Sequence, residues 1–300
     1  MKLVLSIFKW LLVVIIALLI LLFAYANYTI YSFDTETLSE KYGEVEAKLF
    51  LSEGSNQPLV VGLGGADGGN GWAGPHGEKQ RKLLQNNGYA FLSIAYFGTE
   101  NIPKNLDRIA IEGVHKAVIE AAQNPRINGN CISVMGVSRG GELALLLGSY
   151  YQEYKSVIGI VPGSSVFAAV NDAMTTPGFS HNRKSLPFVP VPWSVTPDLL
   201  TGNLRGAFEK MMQNTEAMEA AAIKVENISG PVLLISGTED EQWPSMEMSE
   251  IIINRLKAND FPFPSQHIPL VGGHNEHHDN FDIVITFLNT QFLSQQGCGL

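Results

Sequence analysis

The chain has 300 residues, of which 45% are hydrophobic and 16% charged, and its formal net charge is −9 at pH 7. This length and composition can bury one large core and allow one or two domains, of which we favour one. The acidic balance, without a long run of Lys or Arg, argues against nucleic acid as a partner. Two cysteines, Cys131 and Cys298, do not make a disulfide framework and lack metal-ligand spacing, so they say little about the compartment.

The N-terminal segment, residues 1–27, is predicted to enter a membrane. Lys2 and Lys9 precede an uncharged apolar run over residues 10–26, which at about 1.5 Å per residue spans roughly 25 Å. The lysines place the N-terminus in the cytoplasm and the rest of the chain on the extracytoplasmic side of a single-pass anchor. The tripeptide Ala24-Tyr25-Ala26 also fits a cleavage site, so a secreted or periplasmic protein released from a signal peptide stays open.

After a polar connector over residues 28–43, strand and helix patterns alternate through residues 44–300. The elements predicted from period and turn signals are strands over 44–51 and 58–63, a helix over 76–87, a strand over 89–96, a helix over 106–123, a strand and helix within 131–149, strands over 157–161 and 232–236, a helix over 251–258, a strand over 266–271 and a helix over 280–293. Such alternation predicts an α/β domain whose mostly parallel sheet has helices on both faces.

The stretch from Cys131 to Ser149 carries the strongest chemical signal. An apolar strand leads into Gly136-Val-Ser-Arg-Gly140, and a helical pattern follows. Glycine two residues before and after Ser138 lets strand and helix approach closely while the serine is held in a strained turn at the end of the sheet. This is a nucleophile elbow, with the backbone N–H of Arg139 placed to donate to a developing oxyanion.

A second glycine-rich loop, residues 64–71, follows the strand over 58–63. Its spacing is neither that of a dinucleotide-binding loop nor that of a P-loop, so we do not expect a nucleotide there. Hydrolases with this elbow take a second oxyanion donor from the loop after an earlier strand, which makes Gly65 or Ala66 the candidate. A purely structural turn is the alternative.

The alternation stops between about residues 164 and 225, where a proline-rich aromatic segment precedes a Met-rich helical stretch over 208–222. We interpret this segment as a cap-like insertion over the active-site end of the sheet that shapes an acyl or aryl pocket. A surface loop with an ordinary packing helix is an equal alternative.

Ser138, Asp240 and His274 follow successive strands in the Ser…Asp…His order of the α/β-hydrolase plan. A serine hydroxyl needs a neutral imidazole to take its proton and a buried carboxylate to hold that imidazole. Glu239 competes for the acid role, whereas His277 and His278 are reserve candidates for the base.

Two nearby features admit other interpretations. The stretch from His274 to Asp279 is rich in histidine, but it lacks the spacing that puts two metal ligands on one helix face, so we expect no metal and no cofactor. Glu142, three residues after Arg139, is interpreted as its ion-pair partner rather than as a second catalytic acid.

The sequence resembles the C-terminal catalytic domain shared by acyl-CoA thioesterases and bile acid-CoA:amino acid N-acyltransferases, which is related to dienelactone hydrolases. The likeness covers roughly residues 58–274, and its landmarks are Ala95-Tyr-Phe-Gly98, Ile102-Pro-Lys-Asn-Leu106, the elbow and its helix over 136–147, the segment over 228–237 and Trp243-Pro-Ser245. The resemblance implies Ser138 as nucleophile, Asp240 as acid and His274 as base. Mammalian members carry an N-terminal β-sandwich where this chain has the membrane segment, and the acyltransferase branch uses cysteine, so Ser138 implies water as the acceptor.

We therefore expect a serine hydrolase that cleaves a small-molecule acyl thioester or carboxylic ester through an acyl-enzyme. Acyl transfer to an amine or alcohol and a non-catalytic binding protein on the same fold are the alternatives. Family likeness implies an acyl-CoA substrate, but the expected topology puts the site where CoA thioesters are not expected. The cations that could serve CoA phosphates are sparse, namely Lys79, Arg81, Lys82, Arg183 and Lys184.

Overall fold

The computed structural model describes residues 2–298, with side chains from Val4 onward. The predicted segments 1–27 and 44–300 include three residues outside the described part, namely Met1, Gly299 and Leu300. The expected orientation depends partly on Lys2, whose side chain also lies outside it. The first helix, α1 (Lys2–Ser32), extends five residues beyond the predicted segment 1–27. From Val4 to Ser32 it is long and apolar enough to cross a membrane, a property that signal sequences share.

The strands and helices of the described chain alternate after α1. The strands are β1 (Glu46–Phe50), β2 (Gln57–Leu63), β3 (Ala90–Ala95), β4 (Ile109–Ala110), β5 (Ile127–Val137), β6 (Tyr154–Ile160), β7 (Phe179–His181), β8 (Lys184–Ser185), β9 (Val232–Gly237) and β10 (Ser265–Leu270). The helices after α1 are α2 (Glu78–Asn86), α3 (Ile111–Ala122), α4 (Arg139–Tyr150), α5 (Thr196–Thr201), α6 (Leu204–Met212), α7 (Thr215–Ala220), α8 (Ser245–Ala258) and α9 (Asp282–Phe287).

Seven strands form one sheet in the order β1-β3-β2-β5-β6-β9-β10. Strand β1 is antiparallel to β3, and the other neighbours are parallel. The central strands β2, β3 and β9 are buried along their whole length, as expected for apolar runs covered on both faces. The predicted α/β fold with a mostly parallel sheet is confirmed.

Helices cover both faces of this sheet and bury two separate apolar clusters. One cluster contains side chains of α3, α4 and α8, represented by Val114, Leu145 and Ile252. The other contains side chains of α2 and α9, represented by Leu84 and Val284. The sheet is therefore held rigidly between two cores, and the loops at the carboxyl ends of its parallel strands start from fixed positions.

Segment 164–225 contains β7, β8, α5, α6 and α7, and it has an apolar cluster of its own. Phe167, Ala207 and Met211 pack there against Trp243 and Met248 from the loop and helix after β9. The segment thus packs on the side of the sheet where the strands end.

Some predicted helix boundaries are wrong. The helix expected to start at residue 106 starts at Ile111, because the preceding residues pair with segment 164–225: Leu106 bridges Val170, and β4 pairs with β7. Between these two pairings the chain bends at Arg108, whose φ is 47°. The stretch over 208–222 belongs to two helices, since α6 ends at Met212 and Asn214 caps α7 by accepting from the N–H of Ala217. The final helix becomes a π-helical turn over Leu288–Phe292.

The cysteines also correct the sequence analysis, because Cys131 and Cys298 form a disulfide that closes a separation of 167 residues. Cys131 lies on β5, the strand before the elbow, and both cysteines are buried. Pattern analysis had no means of pairing two cysteines so far apart, since their proximity arises from the packing of the C-terminal tail against the sheet.

Candidate active site

Ser138 occupies a strained turn between β5 and α4. Its backbone has φ 57° and ψ −121°, a combination that L-residues rarely adopt outside functional turns. Its N–H donates to the carbonyl of Ile160 on β6, and its own carbonyl accepts from the N–H groups of Gly141 and Glu142. The turn is thereby tied to both the neighbouring strand and the following helix.

The two elbow glycines are required by close backbone approach. A Cβ on Gly136 would lie 1.9 Å from the carbonyl oxygen of Gly140, and one on Gly140 would lie 2.3 Å from the carbonyl oxygen of Gly64. Neither position can accept a side chain without moving backbone. The sequence interpretation of these glycines therefore corresponds to a physical constraint in the fold.

The candidate oxyanion donors also meet at Ser138. The N–H of Arg139 is the first of α4, among the four that a helix leaves without an intrahelical partner. On the other side, a Cβ on Gly65 would lie 3.4 Å from Cβ of Ser138, and Ala66 lines the same space as the serine. The loop after β2 thus borders the elbow, as the sequence analysis expected.

Asp240 and His274 form a buried pair. Nδ1 of His274 lies 2.9 Å from each carboxylate oxygen of Asp240, which is fully buried. The same carboxylate accepts from the backbone N–H groups of Gln242 and Trp243. Burial raises the pKa of Asp240, but hydrogen bonds from His274, Ser245 and the backbone outweigh it and hold this pKa below its ordinary value. Glu239, the competing acid, is exposed.

His274 is nearly buried, and Glu241 accepts a hydrogen bond from its backbone N–H. With an ionised carboxylate at Nδ1, the neutral imidazole carries its proton on that nitrogen and leaves Nε2 as an acceptor. Ser138 and His274 line one cavity, and no hydrogen bond joins their side chains in the described part of the chain.

The reserve bases, His277 and His278, line the same cavity as Ser138 and His274. Nδ1 of His277 lies 3.1 Å from the carbonyl oxygen of His274, so it donates to that oxygen and Nε2 is left as an acceptor. Burial lowers the pKa of His277 to about 4. Its Nε2 and Oε1 of Gln80, both buried, have no hydrogen-bond partner among the described residues, and both side chains line the cavity that Ser138 borders. His278 is exposed.

Two cavities meet at Ser138. The first, of about 290 Å³, is lined mainly by apolar side chains of segment 164–225 together with Trp243; those that define its wall are Phe167, Val191, Val195, Leu199, Phe208 and Met211. The second, of about 470 Å³, is bordered by the glycine-rich loop, His76, Gln80, Gln242 and the histidines from 274 to 278. Ala66, Ser138 and Gln242 border both.

Several of these lining residues were not singled out from sequence. Trp243 is named from sequence only within a landmark, and Gln242, Phe167 and Phe208 have no role assigned from sequence. The indole Nε1 of Trp243 donates to the carbonyl of Val161, which fixes the ring at the cavity wall. The aromatic and Met content of segment 164–225 was the available signal, but which side chains face inward depends on tertiary packing.

Arg139 and Glu142 form a buried ion pair, as expected, with Nη1 2.7 Å from Oε2. Burial raises the pKa of Glu142 to about 7, against the opposing effect of the guanidinium. Arg139 also donates to the carbonyls of Phe167 and Ala168, and Glu142 accepts from the N–H of Phe167. The pair therefore fastens the start of segment 164–225 to the elbow helix.

The suggested phosphate-binding cations do not border either cavity. Arg81 is buried and donates to the carbonyls of Trp72 and Gly74, which makes it structural. Lys82 pairs with Glu78, and Lys79 lies 4.0 Å from Asp279. Among residues 2–298, no group of three or more His, Cys, Asp or Glu side chains is arranged to hold a metal ion.

Known proteins resemble this chain in sequence. The family model described as BAAT / Acyl-CoA thioester hydrolase C terminal matches residues 110–277. The chain is 28% identical over 221 residues to acyl-coenzyme A thioesterase 3 of Mus musculus, covering 72% of this chain and 47% of the relative. It is 26% identical over 223 residues to acyl-coenzyme A thioesterase 1 of Homo sapiens, covering 72% and 48%. The chain thus spans about half the length of the curated relatives that it matches.

Solved structures share the fold at low sequence identity. Acylaminoacyl peptidase from Pyrococcus horikoshii superposes with a TM-score of 0.59 at 14% identity, over 83% of this chain and 39% of that one. The α/β hydrolase GrgF from Penicillium sp. superposes with a TM-score of 0.51 at 14% identity, over 83% of this chain and 99% of that one. The chain therefore has the α/β-hydrolase fold and belongs to the BAAT / acyl-CoA thioester hydrolase C-terminal family.

Proposed function

We propose that the protein is a serine hydrolase that cleaves an acyl thioester or carboxylic ester, with Ser138 as nucleophile, His274 as base and Asp240 as the acid that holds it. The observation that carries the proposal is the strained turn at Ser138 beside a cavity bordered by His274, whose Nδ1 is bound by a buried carboxylate. The thioesterase names of the relatives support the same class of reaction.

In the first half-reaction, Oγ of Ser138 attacks the carbonyl carbon while Nε2 of His274 takes its proton. The charge that forms on the carbonyl oxygen accepts hydrogen bonds from the N–H of Arg139 and from that of Gly65 or Ala66. Asp240 stabilises the imidazolium through Nδ1–H. The tetrahedral intermediate then collapses to an acyl-enzyme, and the imidazolium returns its proton to the departing thiolate or alkoxide.

In the second half-reaction, water gives a proton to Nε2 of His274 and attacks the acyl-enzyme. The ester bond to Ser138 breaks, its Oγ takes the proton back, and a carboxylic acid leaves. The apolar cavity suits the acyl group because its wall is made almost wholly of aliphatic and aromatic side chains. The polar cavity on the His274 side suits the leaving group and the incoming water, since both need hydrogen-bond partners there.

We propose that the protein does not bind the nucleotide part of CoA. In the described chain, the one Lys or Arg that borders either cavity is Arg139, and its charge is already paired with Glu142. A phosphate would gain little from a guanidinium that is buried and committed. The recognised part of the substrate is therefore its acyl group.

We further propose that α1 is retained as an anchor and that the hydrolase domain, residues 44–300, faces the extracytoplasmic side. The disulfide between Cys131 and Cys298 supports this placement, because disulfides persist in oxidising compartments. A cleaved signal would leave the same domain in that compartment without the anchor.

A fluorophosphonate probe tests the nucleophile on the full chain in detergent. We expect one labelled residue, Ser138. The variant Ser138→Ala should lose both label and turnover while its circular dichroism spectrum stays that of the folded native protein. His274→Ala should lose turnover, whereas His277→Ala should keep most of it. A native protein that takes no label, or a dead His277→Ala beside an active His274→Ala, would overturn the assignment.

Product analysis separates hydrolysis from acyl transfer. The native protein is incubated with a thioester and its matching oxygen ester, with and without added amine or alcohol. We expect free acid as the product in all cases. An amide or a new ester as the main product would replace hydrolysis by transfer.

A further inference from the structure

Exposed apolar side chains gather around the mouth of the apolar cavity. Outside α1, seven large hydrophobic side chains of the described chain are exposed: Tyr150, Val170, Trp193, Leu200, Leu204, Ile251 and Val271. Four of them, Val170, Trp193, Leu200 and Leu204, belong to segment 164–225, and we call them the cap face. Single exposed hydrophobic residues are ordinary, but a group beside an apolar pocket marks an interaction surface.

The cap face is continuous with the cavity beside Ser138. Val170 and Leu204 line that cavity while being 48% and 36% exposed, so they form its rim. Trp193 and Leu200 do not line it, but Trp193 stands two residues before the lining residue Val195, and Leu200 directly follows the lining residue Leu199. An apolar group lying on the cap face would therefore be at the entrance of the proposed acyl pocket.

The membrane-type helix α1 touches this same face. The ring of Phe23 lies 5.8 Å from the ring of Trp193, centroid to centroid. Phe23 stands three residues before the end of the apolar run 10–26, which is about 4.5 Å along a helix axis. A ring at that level lies where hydrocarbon meets headgroups, a depth that the amphipathic indole of tryptophan favours.

The chain just after α1 is fastened to the domain, which limits how far the domain can swing away. The buried Arg108 donates from Nη1 to the carbonyl of Thr35 at 2.6 Å and from Nη2 to that of Asp34 at 3.3 Å. Ala26, Asn27, Thr29 and Ile30 at the end of α1 are half-buried. The anchor and the domain are thus joined at one short, held connection.

We propose that the cap face rests on the lipid surface and that the apolar cavity takes the acyl chain of a membrane-embedded ester or thioester directly from the bilayer. The inference rests on the proposed hydrolase function and on retention of α1. It names the substrate class as lipid-like acyl compounds whose chain is dissolved in the membrane, and it gives α1 the task of holding the pocket mouth at that surface.

The surface is tested without reference to activity. A benzophenone amino acid replaces Leu200 in the full chain, which is reconstituted in phosphatidylcholine vesicles and irradiated; the matched control carries it in place of Ile251, an exposed residue away from the cavity. We expect a lipid adduct at position 200 and little at 251. The proposal would be overturned by a protein–protein adduct at position 200 or by equal labelling of both positions. It would also be overturned if the isolated chain had lost α1 as a cleaved signal and did not stay with the vesicles.

Rates of ester hydrolysis then test whether the acyl chain reaches the cavity from the membrane. The double variant Trp193→Ser with Leu200→Ser should lose about tenfold in kcat/KM on a long-chain ester carried in vesicles, while a short water-soluble ester of the same leaving group is hydrolysed at the native rate. Ile251→Ser should match the native protein on both. Equal loss on both substrates would mean damage to the pocket and would overturn delivery from the membrane. Failure of the native protein on both esters would overturn the hydrolase proposal, while the lipid adduct would still report on the surface.

Discussion

Asp240 keeps a charge in a fully buried position because it accepts hydrogen bonds from the imidazole of His274 and from two backbone N–H groups. A buried carboxylate without such partners would take up a proton instead. The lowered pKa of Asp240 means that the carboxylate is ionised throughout the range in which a neutral histidine can act as a base.

We expect Asp240→Asn to lower kcat by about 10⁴-fold, because a neutral amide neither fixes the Nδ1–H tautomer nor stabilises the imidazolium. KM should change little, since Asp240 does not line either cavity. The matched control is Glu239→Gln, which alters an exposed neighbour and should retain native kinetics. A dead Glu239→Gln with an active Asp240→Asn would reverse the acid assignment.

His277 gives the domain an acid-sensitive stability. The folded protein holds it neutral down to about pH 4, whereas the unfolded chain protonates it near its ordinary pKa of 6.5. The unfolded state therefore binds more protons within this window, so stability is complete above pH 6.5 and falls as the pH drops toward 4. The loss from this residue amounts to about 2 kcal/mol between pH 7 and 5.

Urea unfolding at pH 7 and pH 5 measures the effect of His277. The variant His277→Asn can still donate to the carbonyl of His274 but does not titrate, so its free energy of unfolding should change less between the two pH values than that of the native protein. Parallel changes in both proteins would mean that His277 is not the group responsible.

At the candidate site, residue types and chain order identified Ser138, Asp240 and His274 as candidates, and the fold brings these three residues to one edge of the sheet. The role of the glycines at 136 and 140 could be predicted from sequence, because only a residue without a side chain permits the observed backbone contacts. The residues of the cavity walls could not be predicted from sequence, since Phe167 and Trp243 come from segments far apart in the chain and contact each other only in the fold.

At the scale of elements, the strands of the seven-stranded sheet were predicted closely because continuous apolar runs leave little choice of structure. The short strands β4, β7 and β8 of the second sheet were not predicted. Helix ends were predicted less well. Leu106 starts a helical pattern, but pairing of residues 106–110 with segment 164–225 offers the backbone other hydrogen-bond partners and delays the helix to Ile111. Tertiary pairing of this kind leaves no local signal.

The junction between α4 and segment 164–225 depends on the Arg139–Glu142 pair. We expect Glu142→Ala to destabilise the protein by about 3–5 kcal/mol, because it leaves a guanidinium buried and uncompensated and removes an acceptor from the N–H of Phe167. Glu120→Ala, which breaks an exposed pair with Lys116, should change stability little. Thermal unfolding of both variants measures the contrast, and equal effects would contradict it.

At the scale of the whole molecule, the segment after α1 and the C-terminal tail are both fastened to the domain that carries the elbow. The connector after α1 is held by Arg108, which directly precedes β4, and the C-terminal tail is covalently tied to β5 through Cys131 and Cys298. The two ends of the chain are thereby fixed to the domain that carries the candidate site. A bridge across 167 residues restricts the unfolded chain strongly, which stabilises the native state by roughly 2–4 kcal/mol.

This bridge also provides a test of the compartment. We expect Cys298→Ser to lower the midpoint of thermal unfolding by roughly 5–15 °C, with activity kept at low temperature because Cys298 lies outside both cavities. Dithiothreitol should lower the midpoint of the native protein similarly and leave the variant unchanged, which separates loss of the bridge from loss of packing. The redox state at isolation is read by alkylating the denatured full chain without reductant. Blocked thiols would agree with an extracytoplasmic domain, whereas two free thiols in the freshly isolated protein would place it in a reducing compartment and contradict the proposed topology.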